Sequence, residues 1–267
     1  MRREITGFSN PLLKQVRALR EKKHRKRAGL FLAEGLRIMT EAREAGFLPE
    51  MLFVTLGRDD HDLISALEND VLTAGGDVIS VSAEIMSKLS GKDNAQAIVG
   101  IYRDHGVQLT DIDRTSAPIW LVAQAMRDPG NLGTMLRTGD AVGAGGLILI
   151  DDCTDPFSVE AVRASMGAVF TQAIVQCRWD EFTAWLRSGD GQLVGTSLQT
   201  DTDYQDCRYT APCFILTGNE AQGLPEAYEA ECDALVKMPM YGKADSLNAA
   251  IATAVMAYEV RGQMRRG

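Results

Sequence analysis

The segment "FILTGNEAQGL" (residues 214–224) joins an apolar run to a glycine, an amide and a carboxylate. The run has the composition of a buried strand, so Gly218, Asn219 and Glu220 would follow at its carboxyl end. In an open parallel sheet, ligands gather beyond the carboxyl ends of the strands. The segment therefore predicts a parallel sheet with a polar site at one edge, although a turn with a solvated glutamate would explain the same residues.

Short apolar runs alternate with helical stretches on both sides of an unperiodic polar segment at 104–117. This alternation predicts two α/β domains, the second with a mostly parallel sheet covered by helices. We place the first domain at 1–105, a linker at 106–117 and the second domain at 118–267. In the first domain, Asn10 and Pro11 predict the start of a basic helix, and another helix is expected near 60–70.

The charge is unevenly distributed along the chain. The net charge is −8, yet residues 1–27 contain ten basic and two acidic side chains, so this arm carries +8 and the remainder −16. A basic arm on an acidic body suits phosphate contacts. A solvated helix face would explain the same residues about equally well.

The composition also predicts the compartment. No run of about 18 apolar residues could span a bilayer, the N-terminus lacks the apolar core of a secretory signal, and the five cysteines form no CxxC pair. We expect a cytoplasmic protein with reduced cysteines and no membrane contact.

Two further loops should open on the same edge of the second sheet as the loop at 218–224. They lie in "DPGNLGTMLRTGDAVG" (128–143) and "KMPMYGKADSLNAA" (237–250). Each polar residue has an ordinary structural explanation: Asn131 could cap the next helix, Ser246 or Asp245 the last one, and Arg137 could simply be exposed. Because the loops converge, however, we expect a site composed of Asn131, Arg137, Glu220, Ser246 and Asn248.

Several classes of site are excluded. The chain has no GxxxxGK[ST] motif, so P-loop chemistry has no support. The glycines of "VGAGGLILID" precede a strand, whereas a dinucleotide-binding fingerprint must follow one. The histidines (24, 61 and 105) all precede residue 106, and the cysteines are scattered. We therefore expect no histidine base in the second domain and no metal site.

The three loops match, in order, the motifs of a known family. "DPGNLGTMLRTGDAVG", "ILTGNEAQGL" and "VKMPMYGKADSLNAAIATAV" resemble those of the SpoU (TrmH-type) RNA ribose methyltransferases of the SPOUT superfamily, over residues 118 to the terminus. The opening stretch at 9–46 is similar to the substrate-binding domain of the ribosomal-RNA branch, which is built like a small ribosomal protein. The first domain would then bind the RNA substrate.

The resemblance implies a C-terminal sheet with a deep trefoil knot, although knots are rare. It also implies a homodimer in which the partner chain completes each site. S-adenosylmethionine would sit in the knot, held by Leu216, Thr217, Gly218, Met238, Met240, Ser246 and Leu247. RNA would be bound by the basic arm and a further family-like stretch at 160–170, through Arg17, Lys22, Lys23, Arg25, Lys26, Arg27 and Arg163.

The implied reaction is methyl transfer to a ribose 2′-hydroxyl, with Asn131, Arg137, Glu220, Ser246 and Asn248 at the functional positions. The family's proposed base corresponds to Arg137, but arginine is effectively always protonated. We therefore favour Arg137 as an electrostatic stabiliser of the developing alkoxide. Ribosomal RNA is the favoured substrate; the alternatives are transfer RNA, or a non-catalytic role in RNA binding or ribosome assembly.

Overall fold

We analysed a computed structural model of the chain, which describes residues 1–57, 61–92 and 95–266. The first residue of the helix expected near 60–70 and the last residue of the predicted second domain, 267, lie outside them. The chain forms two compact units, one of residues 1–105 with 157–171 and the other of residues 106–156 with 172–267. The helical segment at 157–171 thus belongs to the first unit, and the predicted boundaries of two continuous domains remain a prediction.

The first unit contains a five-stranded mixed sheet in the order β1-β4-β3-β5-β2. β1, β4 and β3 are parallel, and β5 is antiparallel to β3 and β2. The strands are β1 Arg2–Ile5, β2 Leu30–Glu34, β3 Met51–Thr55, β4 Asp77–Val81 and β5 Ile98–Arg103. The helices are α1 Pro11–Ala18, α2 Lys22–Ala28, α3 Leu36–Glu44, α4 Asp62–Thr73, α5 Ala83–Ser90 and α7 Val159–Ser165.

The helix predicted at the basic arm is divided in two. Hydrogen bonds of the i→i+3 type end α1, the last from the amide of Glu21 to the carbonyl of Ala18. The guanidinium of Arg25 donates 2.8 Å hydrogen bonds to the carbonyls of Leu19 and Arg20. Carbonyls at a helix end lack intrahelical partners, and Arg25 supplies one. The strand β1 was also not predicted, because it carries only one buried side chain, Ile5.

The second unit contains a six-stranded sheet in the order β11-β9-β10-β6-β7-β8, and all its pairings are parallel. This confirms the predicted parallel α/β sheet. The strands are β6 Ile119–Gln124, β7 Gly146–Ile150, β8 Ala173–Cys177, β9 Gln192–Thr196, β10 Cys213–Thr217 and β11 Ala234–Val236. The helices are α6 Pro129–Val142, α8 Trp179–Arg187, α9 Glu226–Glu229 and α10 Ala249–Arg266.

The polar segment at 104–117 is partly folded. Its residue Val107 pairs with Val175 of β8, and Leu109 is buried. The guanidinium of Arg114 donates a 2.7 Å hydrogen bond to the carbonyl of Leu186 at the end of α8. The alternation of polar and apolar residues is too short here to reveal this packing in the sequence.

The core of the second sheet explains why its strands read as continuous apolar runs. All six residues of β6 and all five of β7 and of β10 are buried. Helices α6 and α10 pack on each other, and α10 also packs on β10 and β6. Because these strands are parallel, the loops that follow β6, β9, β10 and β11 lie at the same edge of the sheet.

Candidate active site

Three of the five expected site residues form one hydrogen-bonded chain at this edge. The amide nitrogen Nδ2 of Asn248 lies 2.9 Å from Oδ1 of Asn131, and Nδ2 of Asn131 lies 3.1 Å from Oε1 of Glu220. Asn248 ends the loop after β11, Asn131 lies in the first turn of α6, and Glu220 lies in the loop after β10. The donors and acceptors alternate, so each amide is held in one orientation.

Glu220 is the anion in this chain. Its carboxylate also accepts hydrogen bonds from the backbone amides of Arg127 (3.4 Å) and Asp128 (3.3 Å). Partial burial alone would raise the pKa of Glu220, but the hydrogen bonds from Asn131 and the backbone outweigh it and lower the pKa. Glu220 is therefore ionised at neutral pH and is a weak base, which fits an organising role.

The helix caps differ from the expectation. Asp128, not Asn131, caps α6: its Oδ1 accepts the backbone amide of Asn131 at 2.8 Å. Asn248 caps α10 by accepting the amide of Ala250 at 3.0 Å, whereas Ser246 and Asp245 are exposed in the preceding loop. The side-chain amides of Asn131 and Asn248 are thus both available for the hydrogen-bonded chain that ends at Glu220. The cap of α10 expected at Asp245 or Ser246 was wrong, because Asn248 caps this helix.

The loop after β10 is folded on itself. Nδ2 of Asn219 donates to the carbonyl of Ala125 (2.8 Å), and its Oδ1 accepts the amide of Ala221 (2.9 Å). A Cβ on Gly218 would lie 2.4 Å from the carbonyl carbon of Gly223 and 2.5 Å from the amide nitrogen of Leu224. Close approach by the chain's own backbone therefore explains why residue 218 is a glycine.

The other two expected site residues lie outside the chain of hydrogen bonds. Arg137 is exposed on α6, and its side chain makes no hydrogen bond or ion pair with the residues that the structure describes. Ser246 is exposed in the loop before α10. The structure thus brings together Asn131, Glu220 and Asn248, and within the described ranges the guanidinium of Arg137 has no partner.

A cavity of about 720 Å³ lies beside this network, within the range of small-molecule sites. Six of the seven expected cofactor residues line it: Thr217, Gly218, Met238, Met240, Ser246 and Leu247. Leu216 does not, because its side chain is fully buried in the core of the sheet. The hydroxyl of Thr217 is occupied by a 2.8 Å hydrogen bond to that of Thr253 on α10, which leaves its backbone facing the cavity.

Sequence reasoning missed one wall of the cavity. Residues after β9, namely Ser197, Leu198 and Gln199, line it, as do Glu226 and Glu229 of α9. The run "QLVGTS" (192–197) is one of the short apolar runs from which the second, mostly parallel sheet is predicted. In a parallel sheet, the residues after this strand must lie at the same edge as the other three loops. This position was the sequence signal from which Ser197, Leu198 and Gln199 could have been predicted to line the cavity.

Most of the expected RNA-binding residues form an exposed cationic surface on α1 and α2. Arg25 is the exception, because it is 5% exposed and its guanidinium satisfies backbone carbonyls. It is a structural residue, which corrects the expectation. Arg163 lies on α7, 3.2 Å from the buried carboxylate of Glu34. The exposed residues are Arg17, Lys22, Lys23, Lys26 and Arg27.

No group of three or more histidine, cysteine or acidic side chains within the described ranges could hold a metal ion. None of the helices in these ranges combines the length and apolar character needed to cross a bilayer.

Comparison with known proteins places the site in a family. Residues 118–258 match the SpoU rRNA Methylase family, and residues 10–100 match the MRM3-like substrate binding domain. The chain belongs to the SpoU rRNA methylase family. The resemblance stated from the three motifs is thereby confirmed.

The similar proteins cover the whole chain. An AdoMet-bound rRNA methyltransferase from Sinorhizobium meliloti is 38% identical, with a TM-score of 0.91 over 98% of each chain. The 23S rRNA (uridine(2479)-2'-O)-methyltransferase of Streptomyces viridochromogenes is 31% identical over 99% of this chain and 94% of its own. The 23S rRNA (guanosine(2553)-2'-O)-methyltransferase RlmP of Bacillus subtilis is 28% identical over 97% of this chain and 100% of its own.

The residues of this SpoU-family cavity fit S-adenosylmethionine, the family's methyl donor. Leu224, Met238 and Leu247 supply apolar surface for an adenine ring, and the loop at 217–224 supplies backbone polar groups. Tight packing of the loop against Gly218 keeps this wall in place. The expected cofactor is thus consistent with the volume and chemistry of the cavity.

Proposed function

We propose that this chain transfers the methyl group of S-adenosylmethionine to a ribose 2′-hydroxyl of ribosomal RNA. The observation that carries the proposal is the position of the cavity beside the hydrogen-bonded chain of Asn131, Glu220 and Asn248. Arg137, on α6, is unpaired as far as the described part of the chain shows. When bound, the sulfonium supplies an activated methyl group. The chain's own residues would then position the ribose and manage the charge on its oxygen.

Arg137 has the main electrostatic role in this proposal. Its guanidinium has no partner among the described residues, so its donors are available to RNA. As the 2′-oxygen attacks, it loses its proton and gains negative charge, which a guanidinium stabilises without giving up its own proton. The proton passes to water or to a phosphate oxygen of the RNA.

Asn131, Glu220 and Asn248 would organise the pocket. The ionised Glu220 fixes the amide of Asn131, and Asn131 in turn fixes that of Asn248. This network joins the loops after β6, β10 and β11, so it sets the shape of the mouth through which a ribose would enter. Ser246 and Leu247, in the last of these loops, would contact both cofactor and RNA.

The first unit would select the RNA. The exposed cations on α1 and α2 can neutralise phosphates, and α1 and α2 lie within the region matched by a substrate-binding domain. We propose that this unit is built like a small ribosomal protein and that Arg163 contributes at its edge. Ribosomal RNA is favoured over transfer RNA because relatives that match nearly the full chain are named for 23S rRNA.

Three further features are part of the proposal. The resemblance supports a trefoil knot in which the C-terminal segment threads through a loop. Exposed Ile251 and Tyr258, seven residues apart on one face of α10, support a homodimer through the second unit. The five free thiols suit a reducing compartment, and we propose the cytoplasm.

A methyl-transfer assay tests this function. Unmodified ribosomal RNA and transfer RNA would be incubated with the protein and methyl-labelled S-adenosylmethionine. We expect label in ribosomal RNA with the wild type and about a hundredfold less with Arg137→Ala, the order of loss typical of one oxyanion-stabilising donor. Arg208→Ala, an exposed arginine of the same unit, is the control and should retain activity. Label in transfer RNA alone would contradict the choice of substrate, and no label in either would contradict the enzyme.

A further inference from the structure

One wall of the cavity carries carboxylates that have no assigned task. Glu226 and Glu229, at the two ends of α9, both line the cavity. They are three residues apart, so they lie on the same face of the helical turn. Neither carboxylate forms an ion pair with any of the described residues.

The cavity as a whole is negatively charged. Its charged lining residues are Glu220, Glu226, Glu229 and Lys237. The ammonium of Lys237 lies 2.8 Å from Oδ1 of Asp201, so its charge is already compensated. Carboxylates of like charge around one cavity repel each other, and a cation bound among them relieves this repulsion.

The wall is anchored from behind. The ring of Tyr228 stacks on Trp179 with centroids 3.9 Å apart and an angle of 6° between the planes. Its hydroxyl donates a 2.8 Å hydrogen bond to Oδ2 of Asp151. Asp151 also accepts the backbone amide of Trp179 at 3.4 Å. The stacking contact holds the ring of Tyr228, and the hydrogen bond holds its hydroxyl. Because Tyr228 lies in α9, these contacts fix the position of Glu226 and Glu229 at the cavity wall.

We propose that Glu226 and Glu229 select the cationic methyl donor over its neutral product. This inference rests on the proposed function for the occupant of the cavity. S-adenosylmethionine carries a sulfonium, an ammonium and a carboxylate, and its net charge is positive. When the methyl group passes to the ribose oxygen, the carbon–sulfur bond breaks, its electron pair stays on sulfur, and S-adenosylhomocysteine is left without net charge. The attraction of the α9 wall is then lost, which favours exchange of product for donor.

Titration calorimetry on the full chain tests the proposal with three ligands. The ligands are S-adenosylmethionine, S-adenosylhomocysteine and sinefungin, which replaces the sulfonium by an amine-bearing carbon and keeps the positive charge. The variants are Glu226→Gln, Glu229→Gln and the double variant. Glu231→Gln, in which a neighbouring exposed glutamate outside the cavity lining is changed, is the control.

We expect each single variant to weaken both cationic ligands by roughly two- to fivefold, the range of an exposed ion pair. Binding of S-adenosylhomocysteine and all binding by the control should not change. The preference of the wild type for the two cationic ligands over S-adenosylhomocysteine should decrease as the salt concentration rises, because exposed charges are screened. Equal losses for all three ligands, or none for any, would overturn the inference while leaving the enzyme intact. A wild type that binds none of the ligands would overturn the inference together with the proposed function.

Discussion

Replacement of Gly218 by alanine should damage cofactor binding through the protein's own backbone. The added Cβ would lie 2.4 Å from the carbonyl carbon of Gly223, 2.5 Å from the amide nitrogen of Leu224 and 2.6 Å from the carbonyl oxygen of Gly223. Carbon atoms pack best at about 3.5–4.0 Å. The obstructing atoms belong to the backbone rather than to a flexible side chain, so the loop at 218–224 must move by about 1 Å.

The size of the effect follows from this displacement. Forcing a methyl group into a packed region costs about 1–3 kcal/mol. If re-forming the cavity wall on binding incurs this cost, the affinity for S-adenosylmethionine falls by about 5- to 150-fold. Glu220 lies in the displaced loop, so its hydrogen bond from Asn131 should weaken as well.

Titration calorimetry with S-adenosylmethionine measures the loss, and thermal unfolding reports whether the variant is folded. Gly242→Ala is the matched control, because it lies in the loop between Met240 and Ser246 and its backbone is outside the left-handed region. Apart from Gly242 and its two chain neighbours, no described residue has a heavy atom within 4 Å of the added Cβ. This control should bind as the wild type does. Wild-type affinity in Gly218→Ala would refute the reasoning, because the cavity wall would then not depend on this close approach.

Three other predictions concern charged side chains. Glu220→Gln should lower the melting temperature near neutral pH. Since the native pKa of Glu220 is lowered, this difference should be constant above about pH 5, begin to shrink as the pH falls below the ordinary pKa of 4.5, and be lost as the pH falls through the lowered native pKa. Arg137→Lys should show no alkaline rise in methylation rate that tracks a lysine pKa; such a rise would make residue 137 a base. Replacing the four surface cations Lys22, Lys23, Lys26 and Arg27 together by glutamine should weaken RNA binding. In a plot of the logarithm of the binding constant against that of the salt concentration, the slope should become about 3 less steep. Arg25→Gln should instead lower the stability of the fold and leave this slope unchanged.

Strands β6, β7 and β10 of the second sheet could be read from the sequence because all their residues are buried. Such strands form continuous apolar runs with polar loops between them, as at 119–124 and 213–217. Strand β1 gave no such signal, since three of its four residues are exposed. The break between α1 and α2 was hidden as well, because it depends on a hydrogen bond between Arg25 and carbonyls five and six residues earlier.

Asn131, Glu220 and Asn248 could be expected close together because polar groups at strand ends converge in any parallel sheet. The partners of these groups could not be found in the same way. Asp128 and Asn131 are both good caps, and only the structure shows that Asp128 caps the helix while Asn131 binds Glu220. Gly218 illustrates a second limit: sequence indicates that a side chain is excluded, but the excluding atoms belong to Gly223 and Leu224.

Nucleoside analysis of ribosomal RNA tests most directly whether the chain methylates a ribose. The RNA would come from the source organism, from a strain in which the gene is deleted, and from strains in which it is restored. The RNA would be digested to nucleosides and separated by mass spectrometry into ribose-methylated and base-methylated species. We predict that one 2′-O-methylnucleoside is lost from ribosomal RNA on deletion, is restored by the wild type, and is not restored by Arg137→Ala. An unchanged set of 2′-O-methylnucleosides, or a missing methyl group on a base or in transfer RNA, would contradict the proposed activity.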